Sequence, residues 1–156
     1  MRSARIAHPS QTLTVGMSRA HPVLRMKTFT IDQANRTLPL VRKIVQDIVD
    51  EYARWQKLMK TLDVAAAAPS RDAAELERLQ RDIQGAAAAI DRYVRELTEL
   101  GVEIKGMDVG LVDFPGEMGG RSVCLCWRLG EPAVAHWHER DAGFAGRQPL
   151  APNAMA

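Results

Sequence analysis

The stretch VRKIVQDIVDEYARWQKLMKTL, residues 41–62, decides the fold. Within it Val41, Val45, Ile48, Tyr52, Trp55, Met59 and Leu62 recur at spacings of four and three without a miss. A period of about 3.5 residues makes a narrow apolar seam on a helix, and such a seam packs knobs-into-holes against another. Leu76, Leu79, Ile83, Ala86, Ile90, Tyr93, Leu97 and Leu100 supply that second seam. Its aromatic residues read as core. Residues 63–70, with four alanines and Pro69, separate the two runs. Asp72-Ala73-Ala74-Glu75 opens the second helix as a cap, and Gly101 stands where a left-handed residue closes it. The two runs therefore predict an antiparallel, coiled-coil-like two-helix hairpin over about 31–100. Its long first helix should reach ~35 Å.

Upstream, Thr30 and Gln33 have the spacing of a capping box, and Asp32 faces the positive end of the helix dipole. Pro39 has no N–H and disfavours helix at Leu38. A short helix to about Thr37 is therefore expected, with Pro39 in the first turn of a longer one. Pairs such as Lys43/Asp47, Asp50/Arg54, Glu77/Arg81 and Asp91/Arg95 support the exposed faces. Two helices bury only one stripe each. A homodimer through the hairpin, giving a four-helix arrangement, is thus expected.

The bulk composition sets outer bounds. The 156 residues are 46% hydrophobic and 26% charged, as in an ordinary single globular domain. Twenty-one basic and 19 acidic residues are interspersed for a net charge of +2, so no overall field recruits nucleic acid or acidic lipid. No apolar run approaches the ~20 residues of a membrane span. The two cysteines, Cys124 and Cys126, are one residue apart. On a strand they would sit ~7 Å apart, too far for easy bridging, so reduced thiols and a cytoplasmic location are expected. Residues 1–27 lack an apolar secretory segment and read as a disordered extension carrying Arg2, Arg5, Arg19 and Arg25. Met17 and Met26 are both plausible alternative starts.

After Gly101 the period changes to two. Residues 111–115, 122–128 and 133–138 read as three strands joined by a glycine-rich connection and a tight turn at Gly130-Glu131-Pro132. The fold class is α+β: the hairpin, a three-stranded antiparallel β-meander over about 102–139, and a C-terminal covering loop, 140–150. These form one domain over 28–150, and 151–156 is a disordered tail. One face of the meander takes Val112, Phe114, Val123, Leu125, Trp127, Ala135 and Trp137, and should pack on the helices. The other takes Asp113, Ser122, Cys124, Cys126, Arg128, Val134, His136 and His138. If the tryptophans share a face, Cys126 lies opposite His136 and Cys124 opposite His138.

Two cysteines and two histidines on one face suggest zinc or another divalent transition metal. Four Cβ atoms in a flat rectangle of roughly 5 by 7 Å suit a closed tetrahedral site poorly. A partial site drawn from Cys126, His136 and His138, with Glu139 or Asp141, is the form expected. Cys126 beside His136 could alternatively act as nucleophile and base. Asp113, across the central strand from the histidines, reads as too far to orient either ring. In the covering loop Phe144 reads as a plug, and Arg147 as a partner of Glu139, Asp141 or Asp113, or as a clamp for an anion. The remaining reading makes the cysteines fillers and the histidines backbone-bonded. No P-loop, dinucleotide fingerprint or calcium loop is present.

These residues carry a resemblance. The chain resembles the prokaryotic family catalogued as domain of unknown function 2203. The matching features are Phe29-Thr30, Ala34-Asn35, Leu38-Pro39, Gly101-Val102-Glu103-Ile104-Lys105 and Gly110-Leu111-Val112-Asp113-Phe114-Pro115. They continue through Cys126-Trp127-Arg128-Leu129-Gly130-Glu131-Pro132, Trp137-His138-Glu139 and 141–147. The resemblance covers about Met26 to Leu150 and implies no activity, substrate or cofactor. It places Cys126, His138, Glu139, Asp141 and Arg147 in the family's motif. Cys124 and His136 fall where relatives carry aromatic or aliphatic residues.

Three functions remain. A binding or accessory protein would present a polar pocket, with Asp113, Cys126, His138, Glu139, Asp141 and Arg147 as candidates, to a small ligand or metal. An enzyme would use Cys126 or a bound metal on a small anionic substrate. A docking module would offer the hairpin to a protein partner.

Overall fold

The computed structural model describes residues 27–151. The expectations for 1–26 and 152–156 lie outside the described residues. Helix α1 spans Ile31–Ala67, opened by the Thr30/Gln33 capping box in both directions. At 37 residues it is about 55 Å long. The expected break at Pro39 does not occur, because Pro39 lies inside α1. Burial of Ala34, Leu38, Val41 and Val45 along one continuous stripe outweighs the single helical hydrogen bond that proline forfeits.

Helix α2, Ala73–Glu99, is capped by the Asp72 carboxylate, which accepts from the Ala74 and Glu75 amides. Gly101 adopts φ 84° after its end. The Gly101 amide donates to the Thr98 carbonyl and the Val102 amide to the Leu97 carbonyl, a Schellman closure with Val102 and Leu97 both buried. The two helices form the expected hairpin.

The sheet is antiparallel with five strands rather than three: β1 Glu103–Gly106, β2 Leu111–Met118, β3 Arg121–Arg128, β4 His136–Glu139 and β5 Gln148–Pro149. Their spatial order follows the chain. The covering loop is thus partly sheet: after a 3-10 turn at Phe144–Gly146 it pairs with β4. Strand β4 begins at His136, not at residue 133. Val134 gives its N–H to Asn35 Oδ1 (2.8 Å) and accepts from Asn35 Nδ2 (3.3 Å), so α1 takes the backbone bonds a longer strand would need. Arg42 also reaches down from α1 to the Glu131 and Pro132 carbonyls. Instead of a bare turn, the β3–β4 connection is tied to the helix.

The two faces of the sheet divide as the alternation requires, except that Val134, expected on the polar face, lies before β4 and is buried in the core cluster. Val112, Phe114, Val123, Leu125 and Trp127 are fully buried, in one cluster with Leu38, Val41, Val45, Ile48 and Leu97. Gly110, at φ 64°, turns the chain into β2, where an added Cβ would lie 2.7 Å from Leu129 Cβ and 2.8 Å from Val45 Cγ1. This close approach sets the sheet against the proximal half of α1. Buried α1 residues stop at Ile48, among the described residues. Beyond it Tyr52, Trp55, Leu58, Met59 and Leu62 are half-buried.

Candidate functional site

The expected register is present: Cys124 lies opposite His138 and Cys126 opposite His136. On the other side of β3, Asp113 lies opposite Cys126. A diagonal then joins β2 to β4 across β3. His138 Nε2 lies 3.0 Å from Asp113 Oδ1, and both side chains are about 4% exposed. The expectation that Asp113 could not orient a histidine is corrected. Side chains standing on one face of a twisted sheet lean along the strands, and here a long imidazole and a carboxylate span the width of β3 between two small thiols. His138 Nδ1 lies 2.7 Å from the Glu139 carbonyl, so both ring nitrogens are held.

Asp113 lines a cleft of about 160 Å³ with Glu103, Lys105, Ser122, Cys124 and Arg140, and His138 is buried behind it. Lys105 pairs with Glu103 at 2.7 Å, which raises its pKa although burial opposes the rise. Burial, and next the Asp113 charge, push the Cys124 thiol up.

A second cluster lies beside it, under the C-terminal segment. Cys126 is fully buried there, and desolvation followed by the Asp113 charge pushes its thiol up to about 12. A thiol so placed stays protonated, which disfavours the nucleophile reading. Arg147 pairs with Glu131, not with Glu139, Asp141 or Asp113. Burial opposes the Glu131 charge, yet the Arg147 guanidinium and the Arg128 amide outweigh it and hold the carboxyl below its usual range. His136 Nδ1 and Arg147 Nε are buried without a hydrogen-bond partner. Glu139 pairs with Arg121 at 3.0 Å, and Asp141 is exposed. Phe144 is no plug: it is 44% exposed, with the Arg147 and Arg128 guanidinium groups 5.1 and 5.8 Å from its ring centre.

Of the expected metal set, Cys126, His136 and His138, only His138 belongs to the group that the fold draws together. Among the described residues that group is Asp113, Cys124 and His138, whose donor atoms all lie within 4.8 Å of one another. Glu103, Lys105, Ser122 and Arg140 were not among the expected site residues. The alternation of Val102 and Ile104 with Glu103 and Lys105 was the available signal for the first two, since it marks an additional strand with a polar face.

No helix among the described residues is long and apolar enough to cross a membrane. No curated protein and no solved structure matches the chain. A family model does match, over residues 27–150, and the chain therefore belongs to the family described as uncharacterized conserved protein (DUF2203).

Proposed function

We propose that the protein is a binding protein whose polar cleft, between β1, β2, β3 and the Arg140 turn, takes up a small polar ligand. The observation that carries this reading is the buried Asp113–His138 pair, whose carboxylate lines the cleft and is backed by the imidazole. Buried polar groups cost stability unless partnered, and a fold gains little by placing two of them on the outer face of a sheet. Lys105 and Arg140 at the rim, against Glu103 and Asp113, suit a ligand carrying a negative group or both signs. Amide spectra recorded in chelator with acetate, inorganic phosphate and glycine test it. Shifts confined to Glu103, Lys105, Ser122, Cys124 and Arg140 are expected. No shifts, or shifts confined to the hairpin, would overturn the reading.

A second reading concerns the hairpin, as a face for a second copy of the chain. Tyr52, Trp55, Ile90, Val94 and Met107 line an open apolar groove of about 300 Å³, and no residue of α1 beyond Ile48 is fully buried among the described residues. A homodimer joining two such hairpins would bury both stripes in a four-helix arrangement.

A further inference from the structure

Three donors come together from three adjacent strands: Asp113 from β2 and Cys124 from β3, both lining the cleft, and His138 from β4, buried behind them. They form a triangle rather than the flat rectangle that two cysteines and two histidines would make. A tetrahedral ion with bonds of about 2.0–2.3 Å keeps its donors roughly 3.3–3.8 Å apart. Mutual distances within 4.8 Å exceed that range by only about 1 Å, a closure on the scale of side-chain movement.

The histidine is already oriented. The Glu139 carbonyl can only accept, so His138 Nδ1 carries the hydrogen of that 2.7 Å bond. In the neutral ring, Nε2 then directs a lone pair at Asp113 Oδ1, 3.0 Å away, so that two acceptors face each other in a buried place. A cation between them resolves that opposition, and a backbone carbonyl behind the far nitrogen is how ligating imidazoles are commonly held. A ring carrying both protons, ion-paired to Asp113, is the competing use of the same geometry.

We infer that Asp113, Cys124 and His138 bind one divalent transition ion, zinc by the mixed oxygen, sulfur and nitrogen character of the set. The inference rests on the cleft as binding surface. Three protein donors leave one coordination position, turned to the cleft, for water or a ligand atom. Uptake releases the Cys124 thiol proton to solvent, and the resulting thiolate with the Asp113 carboxylate balances the charge of the ion. This is a property of this chain's own Cys124, not a claim about its family.

The test is titration of untagged, chelator-stripped full chain with Co²⁺, followed by displacement with Zn²⁺. A thiolate-to-cobalt charge-transfer band saturating at one equivalent and bleached by zinc is expected. Cys124→Ala should abolish the band and weaken zinc uptake at least ~10-fold, while Cys126→Ala keeps both. Asp113 and His138 are so buried that removing either endangers the fold, whereas Cys124 is half-buried and its alanine variant can be checked as folded by its amide spectrum. Absence of the band, or its loss in Cys126→Ala and survival in Cys124→Ala, would overturn the proposal. So would His138 nitrogen shifts typical of a doubly protonated ring, unchanged by one equivalent of zinc. Cleft shifts with small ligands in chelator, without cobalt uptake, would retain the binding reading and remove the metal. The converse result would remove the small-ligand reading alone.

Discussion

At the scale of single residues, polar side chains determine where this sheet begins and ends. The Asn35 side-chain amide pairs with both backbone groups of Val134, and Glu131 receives Arg147 and the Arg128 amide. Each such bond contributes only about 1 kcal/mol net, yet leaving one buried partner alone costs about 1–3 kcal/mol. The Glu131 carboxyl is held below its ordinary value of 4.5, so the folded chain releases this proton more readily than the unfolded one. Its stabilisation is complete above that ordinary value and is lost as pH falls through the lower folded one. Glu131→Gln should therefore destabilise by about 1–3 kcal/mol in urea at pH 7. The gap to the parent should close as the pH drops below 4.5. An equal gap at both ends of the range would show that Glu131 acts by shape rather than charge.

At the scale of elements, α1 tolerates a proline that local rules would place at a boundary. Pro39 is exposed and offers no N–H to the Asn35 carbonyl one turn earlier. Pro39→Ala should restore that bond and stabilise the protein by about 2 kcal/mol, the interior proline penalty less the entropy gained by a freer unfolded chain. Gly85 gives an independent check within α2. It is exposed, and an added Cβ meets nothing within 4 Å. Gly85→Ala should add about 1 kcal/mol, measured in the same urea series. A loss of stability at Pro39→Ala would mean that the proline ring contributes more to seating α1 than the hydrogen bond it forfeits.

At the scale of the whole molecule, the sheet anchors one end of a long arm. Phe29 donates to the Pro115 carbonyl at 2.7 Å and stacks edge-on against Phe114, so the entry to α1 is fastened to β2. Among the described residues the far end has no such anchor, and the groove at Tyr52 and Trp55 lies midway along α1. Light scattering at micromolar concentration should report a dimer, and Trp55→Glu should convert it to a folded monomer. A parent protein that is already monomeric would remove the four-helix arrangement.

What the sequence by itself determined is whatever follows from period and local chemistry. The alternating fours and threes specify the hairpin, Thr30, Asp72 and Gly101 its caps, and the spacing of Trp127 and Trp137 the pairing of Cys124 with His138 and of Cys126 with His136. Those signals are short-range, and one-residue slips are heavily penalised by burial. The tertiary structure alone decided the continuity of α1 through Pro39, the late start of β4, the pairing of Gln148–Pro149 with β4, and Arg147's choice of Glu131. It also decided that Asp113 reaches His138 across β3 and so gathers Cys124, rather than Cys126, into the cleft. Alternation assigns a side chain to a face, but its partner on that face depends on the twist of neighbouring strands and on which helix claims the backbone first.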